Sequence, residues 1–286
     1  MDAGKGVARV DALMPAEMAE KAEAVGAAKA SLGTLPTIML GVLAGAFIAL
    51  GAVFATTVVA GSTLSFGLSK LLAGLTFSLG LILVIVGGAE LFTGNNLIVM
   101  AWAGGRVSAK ALLRNWGLVY LGNAIGAVGT AVLVFLSGHH TFGGAEVGTA
   151  ALKIAAGKME FGFLQAVVLG VLCNALVCLA VWLTFSARTT VDRVAVIVLP
   201  ITAFVAAGFE HSIANLYFVP HALLIKWGAG GEFWQQAGVA LGDLDGLTTT
   251  AFLVNNLLPV TLGNIVGGGV LVGWVYWVIY LRGRKE

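Results

Sequence analysis

Two stretches of sequence decide the fold: Gly88-Ala89-Glu90-Leu91-Phe92-Thr93-Gly94-Asn95-Asn96 and Gly208-Phe209-Glu210-His211-Ser212-Ile213-Ala214-Asn215. Each stretch places a carboxylate, Glu90 or Glu210, in a polar, glycine-bearing break inside a long apolar run. A charge inside a membrane segment costs several kcal/mol or more by most scales, so it needs a compensating use. Two breaks placed alike in the two halves of one chain predict a substrate path near the middle of a membrane.

The composition is that of a membrane protein. Of the 286 residues, 59% are hydrophobic and only 10% are charged, whereas roughly a quarter of the residues of a soluble domain are charged. A spanning helix needs about 20 mostly apolar residues. Six stretches meet this requirement, with the second broken near 88–94 and the fifth near 208–212: about 35–60, 68–104, 109–137, 160–187, 194–228 and 248–281. We therefore predict an all-α membrane protein with six spans.

The positive charges orient these spans. With a cytoplasmic N-terminus, twelve lysines and arginines fall on the cytoplasmic side and four on the other: Lys70, Lys153, Lys158 and Lys226. This bias predicts that both termini are cytoplasmic. No basic face, phosphate loop or dinucleotide fingerprint occurs, and His139-His140 has too few nearby ligands for a metal. We expect no nucleic-acid partner, cofactor or metal.

Short motifs recur in the same order in the two halves. After the breaks themselves, the matches are Leu40-Gly41-Val42-Leu43 with Leu169-Gly170-Val171-Leu172, and Asn115-x5-Leu121-Gly122-Asn123-x-x-Gly126 with Asn256-x5-Leu262-Gly263-Asn264-x-x-Gly267. Each half holds three spans, so the second copy enters the membrane from the opposite side. We predict an inverted repeat over about 34–138 and 160–282, with binding where the halves meet. An amphipathic helix within 1–33 precedes the repeat, and a tail at 283–286 follows it.

The breaks carry the residues suited to chemistry. His211 is the only histidine in either break, and Thr93, in the matching break, is its natural partner. Helices that begin near Asn95 and Ser212 would point partial positive charge at the centre, which favours an anion. Asn174 either lines the path or joins helices.

Four further residues are expected to support the breaks. Asn123 and Asn264 would hydrogen-bond backbone carbonyls that the broken helices expose. Glu90 and Glu210 would accept backbone N–H groups and hold the geometry; a direct role in proton relay is the alternative reading.

At these residues the chain resembles the formate/nitrite transporter family, and most closely its formate-channel branch. The stretches that carry the resemblance are Gly74-Leu75-Thr76-Phe77-Ser78-Leu79-Gly80-Leu81, Ala89-Glu90-Leu91-Phe92-Thr93, Gly208-Phe209-Glu210-His211-Ser212-Ile213-Ala214-Asn215 and Asn256-Leu257-Leu258-Pro259-Val260-Thr261-Leu262-Gly263-Asn264. The resemblance implies an aquaporin-like fold with broken second and fifth helices. It also implies homopentamers, with one pore per protomer, in a prokaryotic inner membrane.

The resemblance also implies roles for single residues. It places the pore histidine and threonine at His211 and Thr93, and a polar pore-side asparagine at Asn215. It places the conserved glutamate beside the histidine at Glu210. The apolar constrictions fall on Phe77, Leu81 and Phe204.

We therefore expect a channel or transporter for small monovalent anions, with formate as the leading substrate and nitrite or hydrosulfide as alternatives. A bare carboxylate among apolar rings is costly. The anion would be attracted by Lys158 at the outer mouth, take up a proton at His211, directly or through Thr93, and cross as the neutral acid.

Two other classes of function compete with transport. A membrane-embedded enzyme would use Glu210 and His211 as an acid–base pair, but it needs a nucleophile or metal that the sequence does not offer convincingly. A scaffold without a pore is disfavoured by the paired polar breaks.

Overall fold

The structure, a computed structural model, describes residues 12–285, and this part of the chain is helical without a strand. Residues 1–11 of the predicted N-terminal segment and residue 286 of the predicted tail lie outside the described residues. In chain order the helices are α1 (Pro15–Ala30), α2 (Thr34–Val59), α3 (Phe66–Gly87), α4 (Phe92–Asn95), α5 (Val99–Ala103), α6 (Ala109–Leu136), α7 (Glu146–Met159), α8 (Phe163–Ser186), α9 (Thr190–Ala206), α10 (Ser212–Gly228), α11 (Gly231–Ala237), α12 (Thr249–Ala251), α13 (Leu258–Ile265) and α14 (Val275–Tyr280). Short 3₁₀ turns lie at Asn96–Ile98, His139–Thr141, Leu241–Leu244 and Arg282–Lys285, and π-helical segments at Phe252–Leu257 and Val266–Trp274.

Within residues 12–285, five helical segments are long and apolar enough to cross a bilayer: α2, α3, α6, α8 and Leu241–Tyr280. The remaining predicted span, 194–228, is divided between α9 and α10, which have 17 residues each. Neither reaches the roughly 20 residues that a single span needs, so this crossing depends on the two helices in series.

Both breaks begin with a glycine in the left-handed region. Gly88 has φ of 78° and Gly208 has φ of 74°, and glycine adopts such angles without the steric cost that a Cβ brings. The next helices start at Phe92 and Ser212. The prediction of a start near Asn95 was therefore wrong by part of a turn, because the backbone is still extended at Leu91 and helical from Phe92 onward.

Glycines bring the helices of each half together. The pair α2 and α6 meets at Gly41 and Gly122, where a Cβ on Gly122 would lie 2.6 Å from the Ile38 carbonyl oxygen. The pair α8 and α13 meets in the same way, and a Cβ on Gly263 would lie 3.0 Å from the Cα of Gly170. Small residues at such crossings allow the close backbone approach on which membrane helices depend.

The helix α1 packs onto the bundle through only part of its predicted apolar face. Met18 and Ala22 are buried in a cluster with Trp182 and Met100. The sequence predicts Met14, Met18, Ala22 and Val25 on this face, but Met14 is 67% exposed because it is the N-cap residue, one position before the helix begins.

Candidate functional site

Thr93 and His211 meet between the two breaks. Thr93 lies in the first turn of α4 and His211 is the N-cap residue of α10. The Oγ1 of Thr93 is 2.9 Å from Nε2 of His211, and both side chains are buried. The structure thus brings together two residues that are far apart in the sequence.

The second ring nitrogen of His211 fixes the position of its proton. The backbone N–H of Ala214 donates to Nδ1 of His211 at 3.0 Å, so Nδ1 is an acceptor without a hydrogen. In the neutral ring the other nitrogen then carries the proton. Nε2–H therefore donates to the Thr93 hydroxyl oxygen, and the hydroxyl keeps its own hydrogen for another acceptor.

Side chains from α1 and α4 hold the Glu90 carboxylate. Its carboxylate accepts from Lys29 Nζ at 2.7 Å and from Asn95 Nδ2 at 2.7 Å. The same Asn95 amide donates to Asn115 Oδ1 at 2.9 Å, and Asn115 donates to the Lys29 carbonyl at 3.1 Å. The last residues of α1 are therefore bonded to the first break and to α6.

The second break repeats this arrangement with the same residue types. Glu210 accepts from Lys158 Nζ at 2.7 Å and from Asn215 Nδ2 at 2.7 Å. Asn215 also donates to Asn256 Oδ1 at 2.7 Å, and Asn256 donates to the Lys158 carbonyl at 3.1 Å. The two breaks differ in two contacts. Asn95 Oδ1 accepts from Lys29 at 3.1 Å, whereas the buried Asn215 Oδ1 has no hydrogen-bond partner among the described residues. Asn256 also donates to the Glu210 carboxylate, at 3.1 Å.

The expectation that Glu90 and Glu210 accept backbone N–H groups was wrong, because side-chain donors occupy both carboxylates. A lysine ammonium stabilises a buried carboxylate more strongly than a neutral N–H does. The backbone N–H groups of the two glutamates donate elsewhere, to the carbonyls of Leu40 at 3.2 Å and Leu169 at 3.3 Å.

Asn123 and Asn264 each tie three backbone groups together. Asn123 donates to the carbonyls of Gly41 at 2.8 Å and Glu90 at 2.9 Å, and its Oδ1 accepts from the Phe92 N–H at 2.8 Å. Asn264 makes the matching contacts with the carbonyls of Gly170 and Glu210 and the N–H of Ser212, at 2.8, 3.0 and 2.9 Å. Each amide thereby links a broken helix to the span beside it.

Two cavities reach the region of Thr93. The histidine-side cavity, of about 460 Å³, is lined by His211, Asn215 and Glu210. The α1-side cavity, of about 360 Å³, is lined by Glu90, Leu91, Gly94 and several residues of α1. Thr93 lines neither cavity and is fully buried. Its partner His211 lines one cavity, and its chain neighbours Leu91 and Gly94 line the other, so Thr93 lies between the two cavities.

Cationic side chains line both cavities. They are Lys70, Lys153 and Lys158 in the histidine-side cavity, and Lys21, Lys29 and Arg193 in the α1-side cavity. The acidic residue of each lining, Glu210 or Glu90, is already paired with a lysine. The remaining charge of both cavities therefore favours anions.

The side chains predicted to form the constrictions line the two cavities, Phe77 and Phe204 in the histidine-side cavity and Leu81 in the α1-side cavity. Phe77 and Phe204 meet edge to face with ring centroids 5.7 Å apart, and the Phe204 ring lies 6.0 Å from the His211 ring. Leu81 is buried and lines the α1-side cavity. Leu91, which the sequence reasoning missed, lines that cavity too and follows Glu90 as His211 follows Glu210.

Lys158 does not lie where it was expected, and Asn174 takes the second of its two expected roles, joining helices. Lys158 is not a free charge at an outer mouth, because its side chain is only 13% exposed and is paired with Glu210. Asn174 is fully buried and lines neither cavity. Its amide instead contacts three residues, Thr93, Asn96 and Asn264.

The sequence reasoning also missed four supporting residues: Lys29, Asn95, Asn115 and Asn256. Two of them, Asn115 and Asn256, open the repeated motif that ends in Asn123 and Asn264. Lys29 and Lys158 each stand near the end of a helix that precedes a first span, and that shared position was the available signal.

Comparison with known proteins places this arrangement in a known group. The sequence model of the family described as "Formate/nitrite transporter" matches residues 16–278. The chain is 46% identical over 273 residues to "Formate channel FocA" of Escherichia coli (strain K12), covering 95% of this chain and 96% of that one. It is 41% identical to "Formate channel FocA" of Haemophilus influenzae, covering 92% of this chain and 93% of that one. A solved structure described as "Pentameric formate channel with formate bound" superposes with a TM-score of 0.83 at 47% identity, covering 87% of this chain and 98% of that one.

Proposed function

The chain belongs to the formate/nitrite transporter family, and we propose that its path for formate passes between Thr93 and His211. The protein is a multi-pass, all-α membrane channel and not an enzyme. Relatives at 46% and 41% identity are named formate channels, and a structural neighbour holds formate in a pentamer. Formate is therefore the substrate and a homopentamer the assembly that we assign to this chain.

The contact between Thr93 and His211 carries the proposal for the site. The cationic linings draw the anion into either cavity, where the field of several positive charges raises its local concentration. A bare carboxylate cannot cross the rings of Phe77 and Phe204 cheaply, because burying an ion without a partner is costly. The Thr93 hydroxyl, with its hydrogen free, is the donor that meets the anion at the narrow point.

Protonation of the anion requires a second proton on His211. Since Nε2 already carries one, the ring gains this proton at Nδ1 and gives up the bond from the Ala214 N–H. The Nε2 proton then passes to the Thr93 oxygen while the hydroxyl proton passes to formate. The products are formic acid and a neutral ring. Small carboxylic acids have a pKa near ~4, so neutral acid is scarce in water at neutral pH and this relay makes permeation pH-dependent.

The recurring contacts support an inverted repeat for the two halves. Lys29, Glu90, Asn95 and Asn115 make the same kinds of bond as Lys158, Glu210, Asn215 and Asn256. We place the start of each repeat at α1 and α7, one helix earlier than the 34–138 and 160–282 bounds of the sequence reasoning. With both termini cytoplasmic, the α1-side cavity faces the cytoplasm and the histidine-side cavity faces outward, in a prokaryotic inner membrane.

The geometry speaks against the enzyme alternative. An acid–base pair needs Glu210 and His211 to share a reacting group or a hydrogen bond. The Glu210 carboxylate instead contacts Lys158, Asn215 and Asn256, and His211 contacts Thr93. Within the described residues, no group of three or more His, Cys, Asp and Glu side chains is arranged to hold a metal.

A substitution that keeps the fold tests the histidine. In His211→Asn the new side chain does not titrate, yet asparagine is among the best N-cap residues, so α10 keeps its cap. The matched control is His221→Asn, because His221 is also buried on α10 but lines neither cavity. Formate flux into proteoliposomes is measured by stopped flow across a range of pH.

We expect the flux of the His211→Asn variant to lose the pH dependence that the wild type and the control share. A variant with both wild-type flux and a wild-type pH profile would show that His211 is not the proton carrier. The same wild-type vesicles, challenged with formate, nitrite and hydrosulfide in turn, decide the substrate. Faster flux of nitrite or hydrosulfide than of formate would reverse the assignment.

A further inference from the structure

Cys178 contacts the backbone carbonyl of Thr93, whose side-chain hydroxyl bonds to His211. Its Sγ lies 3.2 Å from the carbonyl oxygen of Thr93, within the range of an S–H donor to a carbonyl. Cys178 is fully buried on α8 and lines neither cavity. The thiol therefore contacts the backbone of Thr93 while the Thr93 hydroxyl faces the ring of His211.

The Thr93 carbonyl receives both backbone and side-chain donors, and its backbone donor is the N–H of Asn96 at the end of α4. Asn174 Nδ2 lies near three acceptors: Asn96 Oδ1 at 2.7 Å, the Asn264 carbonyl at 2.7 Å and the Thr93 carbonyl at 3.2 Å. An amide nitrogen has two hydrogens, and the two short contacts take them. The Thr93 carbonyl then has the longest contact of the three, so among the described side chains the Cys178 thiol is the donor that supplements the Asn96 N–H. The thiol lies closer to this carbonyl than to Asn174 Oδ1, which is 3.9 Å away.

The short helix α4, which carries Thr93, depends on contacts with neighbouring helices. Thr93 belongs to α4, which has four residues and passes directly into the 3₁₀ turn Asn96–Ile98. A helix this short is not stable on its own, because nucleation costs more than one turn of hydrogen bonds returns. The position of Thr93 is therefore set by contacts from neighbouring helices.

The backbone of the π-helical segment Val266–Trp274 also packs against Cys178. Gly268 lies in the π-helical segment Val266–Trp274, and a Cβ on it would fall 2.7 Å from Cys178 Sγ and onto the Asn174 amide. A side chain at this position would displace the thiol. The absence of a side chain at Gly268 leaves room for Cys178 Sγ beside the Thr93 carbonyl. π-helical turns within α-helices often lie at functional sites.

We propose that Cys178 is a positioning residue for permeation: its thiol holds the Thr93 carbonyl, and thereby sets the distance from the Thr93 hydroxyl to His211. This role rests on the proposed path past Thr93 and His211. It assigns no chemistry to the sulfur, which touches neither the anion nor the ring.

Three single variants separate positioning from packing. Cys178→Ala removes the donor, and Cys178→Ser restores a donor of similar size. Cys173→Ala is the matched control, because Cys173 is equally buried on α8 and lies in the apolar core cluster rather than beside Thr93. For each purified protein we measure pentamer yield, formate flux in proteoliposomes and the pH at which flux is half-maximal.

We expect Cys178→Ala to lower flux roughly two- to tenfold, the range that corresponds to one lost hydrogen bond, and to displace the pH midpoint. The control should keep both values, and Cys178→Ser should recover most of the loss. Equal behaviour of the two alanine variants would overturn the proposal, as would a serine variant no better than Cys178→Ala.

Infrared spectroscopy tests the contact without any transport. In the Cys173→Ala protein the only thiol is that of Cys178, and its S–H stretching band should lie below that of a free thiol. A band at the free-thiol position would show that the Thr93 carbonyl is not bound, and the proposal would fail. Wild-type protein that conducts no formate would instead reject the proposed function; flux is then measured with whichever anion the wild type does conduct.

Discussion

The ion pair of Lys158 and Glu210 provides the sharpest test of how the second break is held. We consider the substitution Lys158→Met, which keeps most of the length of the side chain and removes its charge. The Glu210 side chain is 3% exposed and that of Lys158 is 13% exposed, with the charged atoms 2.7 Å apart. Removing one partner of such a buried pair typically costs about 3–5 kcal/mol, because the other charge is left uncompensated.

The corresponding ion pair in the first break allows the effect of burial on the lost stability to be compared. Lys29 and Glu90 are also 2.7 Å apart, but their side chains are 29% and 8% exposed, so water screens the lysine more. We expect Lys29→Met to cost less, about 1–2 kcal/mol. Each kcal/mol lowers Tm by about 2–4 °C in a protein of this size class. The expected losses are roughly 6–20 °C for Lys158→Met and roughly 2–8 °C for Lys29→Met.

Thermal unfolding of purified pentamers in detergent, followed by tryptophan fluorescence, measures these losses. The control is Lys153→Met, since Lys153 lines the same cavity as Lys158 and is exposed. The double variant Lys158→Met with Glu210→Gln removes both charges and should regain at least half of the lost Tm. A Tm equal to that of the control would refute the pairing, and equal losses at Lys29 and Lys158 would refute the argument from burial.

Three further outcomes follow from the packing of the bundle. Asn264→Ala leaves three backbone groups without their hydrogen-bond partner, so the free energy of unfolding should fall by about 3 kcal/mol or more. A lower Tm would show this loss, and an unchanged Tm would contradict the contacts. Gly126→Ala places a Cβ against the Val42 carbonyl, while Gly129→Ala on the same helix meets open space; only the former should reduce pentamer yield in size-exclusion chromatography. Phe204→Ala should raise acetate flux relative to formate flux in stopped-flow assays, and an unchanged ratio would remove this ring from the constriction.

Much of the site is visible in the sequence because its signals are local. A glycine that must take a left-handed angle, a glutamate inside an apolar run and a histidine beside it all stand within a few residues, as in Gly208, Glu210 and His211. Besides the breaks, the two halves share the repeated motif that contains Asn123 in one half and Asn264 in the other. These cues follow from the high cost of unpaired polar groups in a bilayer, which leaves few residue types acceptable at a break.

The partners of the carboxylates could not be found in this way. Lys29 stands 61 residues before Glu90, and Lys158 stands 52 residues before Glu210. Each lysine stands near the end of the helix before a first span, but neither lies in an apolar run or in one of the repeated motifs. Their pairing depends on how α1 and α7 pack against the breaks, so the sequence suggested backbone donors where the structure has ammonium groups.

By itself, then, the sequence determined that this chain crosses a membrane with two interrupted spans, and that each interruption bears a carboxylate, with a histidine at one and a threonine at the other. Only the tertiary structure decided that Thr93 and His211, 118 residues apart, share a hydrogen bond, and that Cys178 lies behind Thr93. The reason is physical: in the low dielectric of a bilayer the polar groups of each break must be hydrogen-bonded or paired, so the residue types within each break already indicate this requirement in the sequence. Which side chain satisfies it depends on which helices meet there, and that is set by packing across the whole bundle.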